Sequence, residues 1–127
     1  ERDSSNQTKG FKLLNQMRYQ DDKVKNLLGL CFEFGLGVEK NSKKAFKMSD
    51  ESNHWDRLSL ARYNVGRCHE EGIGVEVNVE TARRYFEAAA KGNWRGEGDM
   101  NAKNKLREFE EDKVNFKMTF RNKRKYH

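Results

Sequence analysis

Residues 28–41 read LGLCFEFGLGVEKN and residues 65–78 read VGRCHEEGIGVEVN, two near-copies set 37 residues apart. Glycines recur at Gly29/Gly66, Gly35/Gly72 and Gly37/Gly74, and Cys31/Cys68, Val38/Val75, Glu39/Glu76, Asn41/Asn78 and Ala45/Ala82 keep the same offset. A fixed period of a few tens of residues is the signature of stacked repeats, in which one unit cannot cover its own apolar side and a neighbour must. Such arrays bind through extended surfaces and carry no built-in chemistry, so the repeat already points to an interaction module.

Working outward, apolar residues recur at helical spacing on both sides of each GxGV segment. A first helix is predicted from Phe11, with Leu14 and Met17 on one face, and a second over 22–34 with Val24, Leu27, Leu28, Cys31 and Phe32. The glycines of GLGV accept the positive φ of a tight helix exit. Asn41 or Ser42 then caps a helix to about Asn53 with Ala45, Phe46 and Met48 inward. In the second copy, a helix from about Arg57 to Glu71 carries Leu58, Ala61, Val65 and Cys68. Asn78 caps the next one, to Ala90, with Ala82, Tyr85, Phe86 and Ala89 inward. Gly92, Gly96 and Gly98 mark a joint around Trp94, and a last helix is predicted from Met100 to Phe120 with Leu106, Phe109 and Val114 on its apolar side. No stretch reads as a strand, and the fold class is all-α.

The boundaries follow from composition. Glu1 to Lys9 is polar and without period, which reads as a flexible lead-in. Residues 10–112 read as one repeat domain with full units at about 28–64 and 65–101, and 113–127 as a basic helix end that frays from Arg121. The 127 residues suffice for one domain with a modest core. Proline is absent, and no apolar run approaches the roughly 18 residues that span a bilayer. The chain starts at Glu1, not methionine, which reads as a processed or trimmed product and leaves secretion open.

Cys31 and Cys68 occupy equivalent repeat positions, about 8–10 Å apart on stacked helices, whereas a disulfide needs alpha carbons within about 7 Å. They are therefore expected as buried free thiols, which leans towards a reducing compartment. Neither a CxxC nor a His–Cys cluster accompanies them, so no metal site is expected, and no cofactor.

The whole pattern resembles the Sel-one-like repeat family, relatives of the tetratricopeptide repeats. The residues that carry the resemblance are LGLCFEFGLGV (28–38), KKAF (43–46), ARYNVG (61–66) and TARRYFEAAAKGN (81–93), within a stretch from about Phe11 to Leu106. His69 stands where the family has an aromatic, and Glu51–Ser52 where it has a small pair. GDMNAKNKL (98–106) resembles a repeat entry with no GxGV after it, so the array is expected to close in a capping helix. The resemblance implies antiparallel helix pairs in a right-handed superhelix, two full repeats with partial flanking units, and a role as an adaptor in protein assembly. In the tetratricopeptide relatives the first helix of each pair lines a concave groove. Carried onto this chain, that groove takes Lys23, Asn26, Leu30, Glu33 and Phe34 from unit one and Leu60, Tyr63, Arg67, Glu70 and Glu71 from unit two. The expected occupant is a peptide or helix of another protein, and self-stacking would extend the array.

A second reading comes from charge. The formal net charge is +6, and residues 113–127 hold six basic residues and no acidic one, so the rest of the chain balances to zero. Lys117, Arg121, Lys123, Arg124 and Lys125, interleaved with Phe116, Phe120 and Tyr126, suit nucleic acid or an acidic partner, and a membrane surface less well. Enzymatic readings are weak. His54, Trp55 and Asp56 are consecutive and point different ways from a helix, and His69 reads as a packing histidine rather than a base. GLGV and GIGV follow helices, whereas phosphate loops follow strands.

Overall fold

The computed structural model describes residues 2–18, 22–52, 59–92 and 98–125. These residues form six helices and no strand: α1 (Arg2–Gln16), α2 (Asp22–Phe34), α3 (Ser42–Ser52), α4 (Ser59–Glu71), α5 (Val79–Lys91) and α6 (Met100–Lys125). The most extensive contacts join α2 to α3 and α4 to α5, while α1–α2, α3–α4 and α5–α6 link one pair to the next. The result is a helical repeat solenoid.

Each helix end has a local cause. Gly35 and Gly72 leave α2 and α4 with φ of 70° and 76°. The amides of Leu36 and Ile73 then reach back to the carbonyls of Cys31 and Cys68, both at 2.9 Å, which satisfies carbonyls that the helix end leaves open. Asn41 and Asn78 donate their amides to the Phe32 and His69 carbonyls, both at 2.8 Å. Their side-chain oxygens accept from the Lys44 and Thr81 amides at 3.0 Å. The cap of α3 is thus Asn41 rather than Ser42. Asp99 does the same for α6, accepting from Ala102 at 2.9 Å.

The core repeats with the sequence. Leu28, Val65 and Ala102, each 37 residues after the last, are all fully buried, as are Ser52 and Ala89. Gly66 lies under the Phe86 ring, where an added Cβ would stand 2.6 Å from a ring carbon, and Gly29 lies under Ser49 in the same way at 2.9 Å. Full burial of Phe86 and Leu28 stabilises the fold by roughly 1.5–3 kcal/mol each. Phe11, Leu14 and Phe32 close a first cluster with Val24, Leu28 and Met48, and Leu106, Phe109 and Tyr63 close a second around Phe86.

Two elements run longer than their sequence suggests. α1 begins at Arg2, although residues up to Lys9 carry no apolar period. A tertiary contact accompanies this. Gly37 sits so close to the α1 backbone that a Cβ on it would stand 2.0 Å from the Gln7 carbonyl oxygen. Gly74 meets the Ser42 carbonyl at the start of α3 in the same manner, at 2.1 Å. α1 is therefore the second helix of a preceding pair. At the other end α6 continues through Arg121 to Lys125, since no glycine or proline follows Gly98 to stop it. The expected helix ends at Asn53 and Arg57, the inward Leu58, the His54–Asp56 triplet, the joint at Trp94 and Gly96, and Tyr126 lie outside the described residues, as do the side chains of Phe116 and Phe120.

Candidate partner-binding face

The first helices of successive pairs, α2, α4 and α6, are tied together by side chains. Asn64 donates its side-chain amide to the Asn26 amide oxygen at 2.8 Å, both residues being buried. Arg67 of α4 grips Glu33 of α2 with two nitrogens, at 3.2 and 2.5 Å, and also meets Glu71 of its own helix at 3.8 Å. Burial alone would lower the Arg67 pKa, but the hydrogen bond and charge of Glu33 raise it overall. One unit on, Glu70 of α4 meets Lys105 of α6 at 3.0 Å, and Lys105 also reaches Glu108 at 3.6 Å. A bidentate guanidinium–carboxylate pair fixes orientation as well as distance. The row therefore sets how α2 and α4 stand relative to each other.

The ten groove residues expected from the sequence divide accordingly. Glu33, Arg67 and Glu71 are brought together, and Glu70 is joined to Lys105. Asn26 is 2% exposed and spent on Asn64, which leaves a partner nothing to reach. Tyr63 packs beside Phe86, ring centroids 5.7 Å apart, and Leu30 is half-buried. Lys23, Phe34, Leu60 and Glu71 face solvent. Of the basic residues, Lys117 is exposed and Arg121, Lys123, Arg124 and Lys125 continue α6. Sequence reasoning passed over Asn64 and Lys105, and it set Leu27 on the apolar side of α2, where the structure leaves it exposed because that flank meets no neighbouring helix among the described residues. The two inter-helix bonds at Asn64 and Lys105 run to residues 38 and 35 positions away, so an alignment at the 37-residue period hides them.

The chemistry of the buried groups is quiet. Burial pushes the Cys68 thiol up to about 12, with Glu33 adding to it, and raises Cys31 as well. Both cysteines are free and buried. His69 is clasped between Phe46 (centroids 5.5 Å, edge-on) and Tyr85 (5.6 Å, stacked), and its Nδ1 is buried without a hydrogen-bond partner. Burial lowers its pKa, while the charge of Asp50 works the other way. Among the described residues no group of three His, Cys, Asp or Glu side chains could hold a metal ion, and no helix is long and apolar enough to cross a membrane.

The Sel1 repeat profile matches residues 25–49 and 59–94, one match on each helix pair. The chain carries two stretches that match the Sel1 repeat. Among solved structures it is similar to the crystal structure of a Sel1 repeat protein from Oxalobacter formigenes, with 28% identity and a TM-score of 0.54. The match covers 56% of this chain and 29% of that one, so the Sel1 units seen here span under a third of the relative's length. No curated protein matches. Sel1 repeats are generally protein–protein interaction modules, typically without enzymatic activity.

Proposed function

We propose that this protein is an adaptor that holds a segment of another protein against the exposed face of α2 and α4. The observation that carries the reading is the pairing of rigid and open positions on that face. Glu33 and Arg67 lock the two helices in register, while Phe34 at 56% and Leu60 at 39% exposure offer apolar anchors beside Lys23 and Glu71. Preordered anchors ringed by charge suit a peptide or helix of mixed character. Arg67 and Tyr63 are poor places to test the idea, because each also holds the fold. A photo-crosslinking residue at Leu60, compared with one at the exposed Val114 of α6, separates the faces. The Leu60 probe should capture a discrete partner that the Val114 probe misses. Equal or no capture by the Leu60 probe would remove the reading.

A second reading has one observation in its favour. α6 is twice the length of α4, and residues 111–115 and 117 are exposed, so its basic half forms an arm. Contact with nucleic acid through that arm would weaken steeply with salt, whereas binding on the α2–α4 face would not.

A further inference from the structure

Each helix pair meets the next through an edge-on pair of rings. Phe11 of α1 meets Phe32 of α2 with centroids 5.4 Å apart and planes at 81°. His69 stands 37 residues after Phe32 and meets Phe46 of α3 at 5.5 Å and 84°, the same geometry one unit on. On its other side His69 stacks on Tyr85 of α5. The imidazole therefore sits where α3 of unit one meets both helices of unit two. Of the two rings that join successive pairs, Phe32 cannot take a proton and His69 can.

A neutral imidazole fills this seat much as a phenyl ring does, since one of its nitrogens can remain a bare acceptor. Nδ1 is buried and has no hydrogen-bond partner among the described residues. Protonation would place an N–H there with no acceptor to meet it, and a charge in a site built for apolar rings. Two features attract a cation: the Tyr85 face, and the charge of Asp50 on α3, which acts on both rings. Burial outweighs the Asp50 charge and lowers the His69 pKa. Tyr85 brings no charge of its own, because burial and Asp50 both raise its pKa. On α4 itself, Glu70 is engaged with Lys105 and Glu71 with Arg67.

We propose that His69 makes the joint between unit one and unit two sensitive to acid: a proton on the imidazole loosens α4 from α3, while the joint between α1 and α2 stays closed. Asn26–Asn64 and Glu33–Arg67 still tie α2 to α4, so the two helix pairs part on the α3 side and do not come apart. The sign follows from burial. In the opened joint the imidazole regains its ordinary pKa of 6.5, above that of the closed one, so opening is favoured as the pH falls below 6.5. Such a device is independent of what the α2–α4 face binds.

The two cysteines report on the two joints separately. Cys68 lies one residue before His69, is 2% exposed and is close enough to Glu33 of α2 to feel its charge. Cys31 holds the equivalent place before Phe32 and is 8% exposed, and the chain has 2 cysteines in all. Single-thiol chains, made with Cys31→Ser or Cys68→Ser, are labelled with 4,4′-dithiodipyridine at about pH 7.5 and about pH 5.5. Each rate is divided by that of the same chain in concentrated urea at the same pH, which cancels the thiolate fraction. The Cys68 rate should rise about threefold in acid, and the Cys31 rate should stay within about 1.5-fold. His69→Phe, which repeats Phe32, should abolish the rise. Asp50→Asn should steepen it, since the charge that favours the cation is gone, and this variant decides the matter if His69→Phe does not fold. An equal rise at both thiols, no rise at Cys68, or a rise that survives His69→Phe would overturn the proposal. So would slower Cys68 labelling in acid or a flat profile in Asp50→Asn. Asp50 would then be closing on the imidazolium, or titrating in its place.

Discussion

Single residues decide how closely neighbouring pairs approach, and glycine shows it from both sides. Gly74 combines φ of 70° with a position where a Cβ would lie 2.1 Å from the Ser42 carbonyl oxygen. Gly74→Ala should therefore cost about 2–4 kcal/mol, from left-handed strain and from forcing α3 away, read as a lower urea midpoint. Gly10 sits inside α1 with nothing within 4 Å of an added Cβ, so Gly10→Ala should stabilise by about 0.5–1 kcal/mol. Should both variants move the midpoint alike, the close approach at Gly74 is wrong. His69 is the other residue with a measurable signature. It faces Asp50 of α3 and Tyr85 of α5, and burial holds its folded pKa below the ordinary value of 6.5. The unfolded chain therefore binds the proton more readily. Stability is whole above 6.5 and declines as the pH falls through that value towards the folded one. His69→Phe, which restores the aromatic of Phe32, should remove that part of the decline. Parallel melting-temperature profiles for the two proteins between about pH 5 and pH 8 would show that His69 does not titrate against folding.

Between elements, the question is which contacts hold α2 and α4 in register. The Glu33–Arg67 pair is bidentate, and its side chains are only 12% and 15% exposed, whereas Lys25–Glu51 spans 3.8 Å at 23% and 35%. A double-mutant cycle on Glu33 and Arg67 should give a coupling of about 1.5–3 kcal/mol, and one on Lys25 and Glu51 no more than about 0.5. Comparable couplings would mean that the row of bridges does not set the register. These contacts also mark where sequence reading stops. The ends of α2, α4 and α5 were legible because glycine and asparagine act within a few residues of where they stand. The start of α1 was not, since the polar run to Lys9 carries no apolar period and meets Gly37 only once the chain has folded back on itself. The helices that present the candidate face could be read from the period. The burial of Asn26 could not, because its partner Asn64 sits one residue out of the repeat register. An aligned position reports a neighbour only when the bond follows the period.

At the scale of the whole chain, stability and charge reside in different places. Among the described residues the buried side chains come from α2 to α5 and the first turn of α6, with Ala102 the last of them. From Glu110 onward every residue whose exposure is described faces solvent. Yet the stretch from Lys113 to His127 holds the whole net charge of +6. Removing 113–127 should accordingly leave the unfolding free energy within about 0.5 kcal/mol of the intact chain, because each residue of that stretch whose exposure is described faces solvent. The same deletion should abolish binding to a single-stranded RNA probe at low salt. In the intact chain that binding, if all six charges engage, should fall with a log–log salt slope no steeper than about −4. A loss of stability beyond about 2 kcal/mol would mean that the arm packs against the array after all.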